Sequence, residues 1–126
     1  MGIRQAELAM QRRLTKAFIA ADWRSVVLMR AEITEDGAGG FVTGEPAPLP
    51  SQVMRLIAQG STGADSKQRM TANGQQVTPE YILLGLHDAD IQRWDSFELD
   101  GRRYEVVFVN ENRQYEAKGE VAYLGE

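Results

Sequence analysis

Ile3, Ala6, Met10, Leu14, Ala17, Phe18 and Ala21 recur at three- and four-residue intervals, which places them on one stripe of a helix covering about residues 3–21. Asp22 ends the run. Leu8 and Ile19 fall together on the opposite face, flanked by Arg12 and Lys16. The broad stripe is the expected core contact. The Leu8 and Ile19 face, with Arg12, Arg13 and Lys16 around it, is the expected outer surface, suited to dock onto an acidic neighbour or a second subunit.

After the helix the period changes. Residues 25–33 (SVVLMRAEI) are short, rich in β-branched side chains and followed by a Gly-rich stretch, as a strand is. Residues 35–50 (EDGAGGFVTGEPAPLP) hold four glycines and three prolines, and predict a loop without a ladder. A second strand is expected over residues 52–59 and another over the apolar run 81–86. Between them lies a long polar segment, GSTGADSKQRMTANGQQVTP, with few core-forming side chains. Its Asn73-Gly74 pair favours a tight hairpin turn, because both residues tolerate positive φ, so the segment predicts a projecting two-stranded arm.

The last third reads as an antiparallel meander: residues 97–99, the turn Asp100-Gly101, residues 103–109 (RYEVVFV), a polar turn, and residues 115–124. Alternation puts Tyr104, Val106 and Phe108 on one face and Val107 and Val109 on the other, which predicts a central strand covered on both sides. The expected fold is mainly β, one domain over residues 1–126: a small antiparallel β-barrel or half-barrel with one N-terminal α-helix and a long projecting loop at about 60–78.

Charge adds a direction to this plan. The chain carries a formal charge of -4, yet residues 1–30 hold six Lys or Arg against two acids, so the remainder is strongly acidic. A cationic helix precedes an acidic barrel. The overall balance argues against electrostatic capture by nucleic acid or an anionic membrane. Without cysteine, neither disulfides nor thiolate metal sites are available. The N-terminal residues have neither the apolar core of a secretion signal nor the Ser or Thr of a myristoylation signal, so a product that is cytoplasmic when made is expected.

Candidate chemistry is sparse. His87, Asp88 and Asp90 in the sequence HDAD offer one nitrogen and two carboxylates, but a turn that ends a strand accounts for the same residues. There is no Gly-x-Ser-x-Gly nucleophile motif and no Gly-rich phosphate cradle between strand and helix. Neither a catalytic residue nor a cofactor is expected. Trp23 and Trp94, each beside charged residues at an element boundary, are expected to pack at the edge of the core.

The segments VVLMR, LPSQVMRLI, YILLGLHDADIQRWDSF and DGRRYEVVFVNENRQYEAKGEVAYLG, in this order and spacing, resemble the head-to-tail stopper, or head-closure, proteins of long-tailed bacteriophages. The resemblance runs from about Asp22 to Gly125 and is most specific over HDADIQRWDSFELDGRRYEVV. It implies a small barrel with an N-terminal helix, stacked as a homo-oligomeric ring, dodecameric in the family, in the neck of the virion. An adaptor protein and the portal would lie above it and a tail terminator or tail completion protein below. A loop would reach the lumen and help retain packaged double-stranded DNA, which passes without tight binding. Carried onto this chain, the channel loop is Asp65, Ser66, Lys67, Gln68, Arg69, Asn73 and Gly74.

Two other classes share parts of the pattern. A tail-terminator protein is also a small ring-forming β domain. A free barrel that binds oligonucleotides or short peptides would need exposed aromatic residues beside Lys or Arg, and Tyr104, Phe108 and Tyr123 are expected to be buried.

Overall fold

The computed structural model describes residues 2–35, 37–58, 67–110 and 114–126. A single helix, α1 (Gly2–Ala20), precedes β1 (Arg24–Val26), β2 (Met29–Arg30), β3 (Ile33–Glu35), β4 (Phe41–Thr43), β5 (Ala47–Pro48), β6 (Gln52–Ala58), β7 (Arg69–Met70), β8 (Gln76–Val77), β9 (Tyr81–Gly85), β10 (Ser96–Leu99), β11 (Arg102–Asn110) and β12 (Ala117–Gly125). Eight of these strands form an antiparallel half-barrel sheet in the order β1-β6-β9-β12-β11-β10-β2-β5, while β3 pairs with β4 and β7 with β8. The expected mainly β half-barrel with one N-terminal helix is the fold observed.

The meander is where sequence and structure agree best. Asp100 and Gly101 both adopt positive φ, 53° and 77°, the conformation that lets a two-residue turn follow the twist of β10 and β11. Phe97 pairs with Tyr104 across that hairpin, and their rings stack with centroids 5.1 Å apart. Val26, Leu28, Met54, Leu83, Ile91, Leu99, Val106 and Val121 complete the inner core. Each large side chain buried there contributes about 1.5–3 kcal/mol of transfer free energy.

Ile91 enters this core through a seat left by glycine. A Cβ on Gly85 would lie 2.6 Å from the Cβ of Ala89, and one on Gly119 would lie 3.1 Å from Val106 Cγ1 and 3.5 Å from Ile91 Cγ2. The turn after β9 therefore folds back against its own strand, and Ile91 caps the inside of the β9 and β12 pair. Any larger residue at position 85 would force that turn away.

Three expectations about local structure change. Residues 25–33 are not one strand: Val26 and Leu28 are both buried, Val27 is exposed, and the chain breaks into β1, β2 and the start of β3. The segment 35–50 does sustain ladders, with β4 on β3 and β5 on β2. Pro48 is admissible because β5 is the last strand of the sheet, where a missing N–H deprives no neighbour.

The third change lies in β11. Val106 pairs with Val121 but Phe108 with Glu120, so Val107 is an extra residue opposite no partner, a β-bulge. Beyond it the alternation is reversed. Val109, not Phe108, packs on the inner core, and Phe108 lies on the outer face with Glu120. Val106 and Val107 are both fully buried, so the strand is covered on two sides as expected.

Candidate functional site

Two features cover the outer side of the half-barrel, α1 over β6 and the β7–β8 hairpin over β11. On α1 the sequence-based assignment of faces is inverted. Ile19 is 2% exposed and Thr15 is buried, Leu8 and Arg12 are half-buried, and these four define the face turned to the sheet. Arg12 Nε donates to the Gln114 carbonyl at 2.9 Å. Ile19 is thus buried against the sheet, with Leu8 and Arg12 half-buried on the same face, whereas Arg13 and Lys16 are exposed.

The broad apolar stripe points away from the protein. Met10 is 62% and Leu14 63% exposed, with Ala6, Ala17 and Ala21 also exposed. Periodicity locates such a stripe but not its partner; tertiary fit selected the other face. Arg55 fixes the C-terminal end, because its Nη1 donates to the Phe18 carbonyl at 2.9 Å and its guanidinium lies 4.1 Å from the Phe18 ring centroid. That bond satisfies a carbonyl the helix leaves unpaired. Beyond it, Trp23 is 57% exposed beside exposed Val53, so it is not packed at the core edge as expected.

Within the predicted arm, residues 69–77 form a hairpin that lies against β11. Gly74 turns it at φ +89°, and the Thr71 hydroxyl donates to Asn73 Oδ1 within the turn. Arg69 forks onto Glu120 with Nε and Nη2 each at 3.1 Å, and its guanidinium lies 3.7 Å from the Phe108 ring centroid. The Ala72 amide donates to Glu105 at 2.9 Å and the Trp94 indole to the Met70 carbonyl at 3.3 Å. Arg69 is therefore an anchor of the hairpin on the protein's own sheet. Lys67, Gln68, Asn73 and Gly74 are exposed; Asp65 and Ser66 lie outside the described residues.

A buried charge cluster escaped the sequence reading. Arg30 donates to Asp95 through Nε at 2.9 Å and Nη2 at 2.8 Å, and to Asp90 through Nη1 at 3.1 Å and Nη2 at 3.0 Å. Asp95 is 1% exposed and also accepts the Gln92 amide at 2.8 Å. The hydrogen bonds from Arg30 to Asp95, offset in part by burial, raise the guanidinium pKa above its ordinary value. The signal was present: an arginine in the apolar run VVLMRA needs a carboxylate, and only the 65-residue separation hid which one.

Around this cluster runs an open groove of about 810 Å³, lined by Met29, Ala47, Leu49 and Trp94 among others, with Glu32 and Glu105 at its polar side. Arg93 lies over the Trp94 ring at 4.7 Å. Burial pushes the Glu105 carboxyl above its ordinary value, against the opposing effect of the Ala72 amide. His87 and Asp88 are exposed in a turn, Asp90 is committed to Arg30, and no metal-ligating cluster occurs among the described residues. No described helix is long and apolar enough to cross a membrane. Tyr123, expected to be buried, is exposed over part of its ring. Comparison with protein-family models and with characterised sequences finds no match for this chain.

Proposed function

We propose that this chain is a structural subunit of the head-tail connector of a long-tailed bacteriophage, forming a ring beneath the portal and adaptor that closes the DNA channel and receives the tail. The observation that carries the reading is the outward stripe of Met10 and Leu14 on α1. A helix that spends its lesser face on its own sheet and presents its apolar face to water has a surface made for another protein. The resemblance over residues 22–125 supports a connector as that assembly.

The folded-down hairpin narrows the lumen-facing candidates. Lys67 and Gln68, just ahead of the Arg69 anchor, remain exposed. An acidic barrel suits a conduit, since neutralising many phosphates would hold a duplex that has to slide.

The reading is tested by adding the purified chain to isolated portal–adaptor particles and imaging them by electron cryomicroscopy. A new ring below the adaptor is expected, and it should be lost with Leu14→Glu. Particles that gain no density would remove the proposal. Attachment to tail tubes in place of connectors would make the chain a tail terminator.

A further inference from the structure

Three of the chain's four prolines, Pro46, Pro48 and Pro50, stand at two-residue spacing in and beside β5, and all three are exposed. β5 is the last strand of the eight-stranded sheet, with β2 as its neighbour. Met29 lies opposite Pro48 and Arg30 opposite Ala47, and the Leu49 amide donates to the Leu28 carbonyl at 2.8 Å. Along an antiparallel strand, successive residues direct their amides and carbonyls to opposite sides. The phase of Ala47 and Leu49 therefore serves the ladder with β2, and the phase of Pro46, Pro48 and Pro50 faces away from it. A proline at position 47 or 49 would deprive β2 of a donor; these three deprive it of none. What the open side lacks is every amide hydrogen over residues 46–50, so it offers carbonyl acceptors without donors.

A strand added to an edge needs donors and acceptors in alternation. The opposite end of the sheet is covered in another way, because β1 lies against β10 and Arg24 forks onto Asp100 at 2.7 and 2.9 Å. We propose that the proline triplet is an edge guard, which bars strand-to-strand addition between copies of this chain at β5 and leaves contact between copies to side-chain surfaces. The guard acts in any assembly, so it does not depend on the connector assignment above.

The test restores the donors. Pro46→Thr, Pro48→Val and Pro50→Thr are combined in the full chain, on a Leu14→Glu background that removes the apolar helix stripe as a route of association. Ala47→Val on the same background is the control, since it raises strand propensity in the same segment without adding an outward amide. Circular dichroism and urea melting establish that each chain is folded, and sedimentation velocity follows association over a concentration series. The triple variant should reach half-association at a concentration about tenfold or more below its parent and the control, as a few net backbone hydrogen bonds imply. The amide restored at position 48 should exchange more slowly in the associated form. Pro48→Val alone should move in the same direction by less, and it decides the matter where the triple variant does not fold. A folded variant as monomeric as its parent would overturn the proposal. Equal association by the control would trace the effect to strand propensity, and an unprotected amide at position 48 would place the contact elsewhere; either result sinks the guard.

Discussion

Arg30 and Arg69 use the same fork of nitrogens on a carboxylate, but in surroundings that give the two bonds different work. Arg30 grips Asp95, whose side chain is 1% exposed, and shares its remaining donors with Asp90. Arg69 grips Glu120, which is 19% exposed, with the Phe108 ring against its guanidinium. The first pair ties β2 to the turn before β10, and that turn to β11 through the Val106 amide bonding the Asp95 carbonyl at 2.8 Å. The second holds a short hairpin on an outer face. Burial, not bond geometry, decides whether such a contact belongs to the whole fold or to one flap.

The largest effect is expected from Arg30→Met, which leaves the Asp95 carboxylate buried without its counter-charge. A loss of roughly 3–5 kcal/mol in urea unfolding is anticipated. A loss of only about 1–2 kcal/mol, the size expected at Arg69, would mean that the two sites are equivalent. Arg69→Met should cost about 1–2 kcal/mol, from one partly exposed charge-assisted contact and a cation–π contact. Its signature is local. Hydrogen exchange should accelerate at the Thr71 and Ala72 amides and stay unchanged at Val106; equal acceleration at both would dissolve the distinction between fold and flap.

Two carboxylates sharpen the comparison through pH. Burial raises the Glu105 pKa, so the folded protein binds that proton more tightly than the unfolded chain. The charged form costs stability above the folded value, and the cost vanishes as pH falls below the unfolded one. Wild type should therefore gain on Glu105→Gln as the solution is acidified through and below the ordinary value of 4.5, which paired urea titrations at several pH values measure. Asp100 has the opposite sign. Its bonds from Arg24 lower its pKa, so its stabilisation is present above the unfolded value and is lost as pH falls through the folded one. Because this pair is exposed, Asp100→Asn should have the smallest effect of the four, confined to low salt and neutral pH. A difference that survives high salt would show the site to be less solvated than its exposure indicates.

Much of the sheet was legible because period-two alternation and the Asp100-Gly101 turn are local signals. The strands from Gln52, Tyr81, Ser96, Arg102 and Ala117 all start within two residues of their expected positions. What escaped depends on distant partners. The outward turn of Met10 and Leu14 was invisible because the sequence ranks the faces of a helix but does not say which one the sheet accepts. The fate of Arg69 required knowing that Val107 bulges, since with Val107 paired in regular alternation Phe108 would face the core and not share a face with Glu120. The ladders of β4 and β5 were masked by glycine and proline, which exclude a central strand but not an edge.

Nine residues make β11, yet its ladder with β12 counts one fewer opposite Val107. A strand without the bulge, with Val107 itself paired to Glu120, would exchange the company of every side chain beyond it, sending Phe108 inward and leaving Arg69 without its ring. One spare residue thus lets the same strand line the interior at its start and seat the flap at its end.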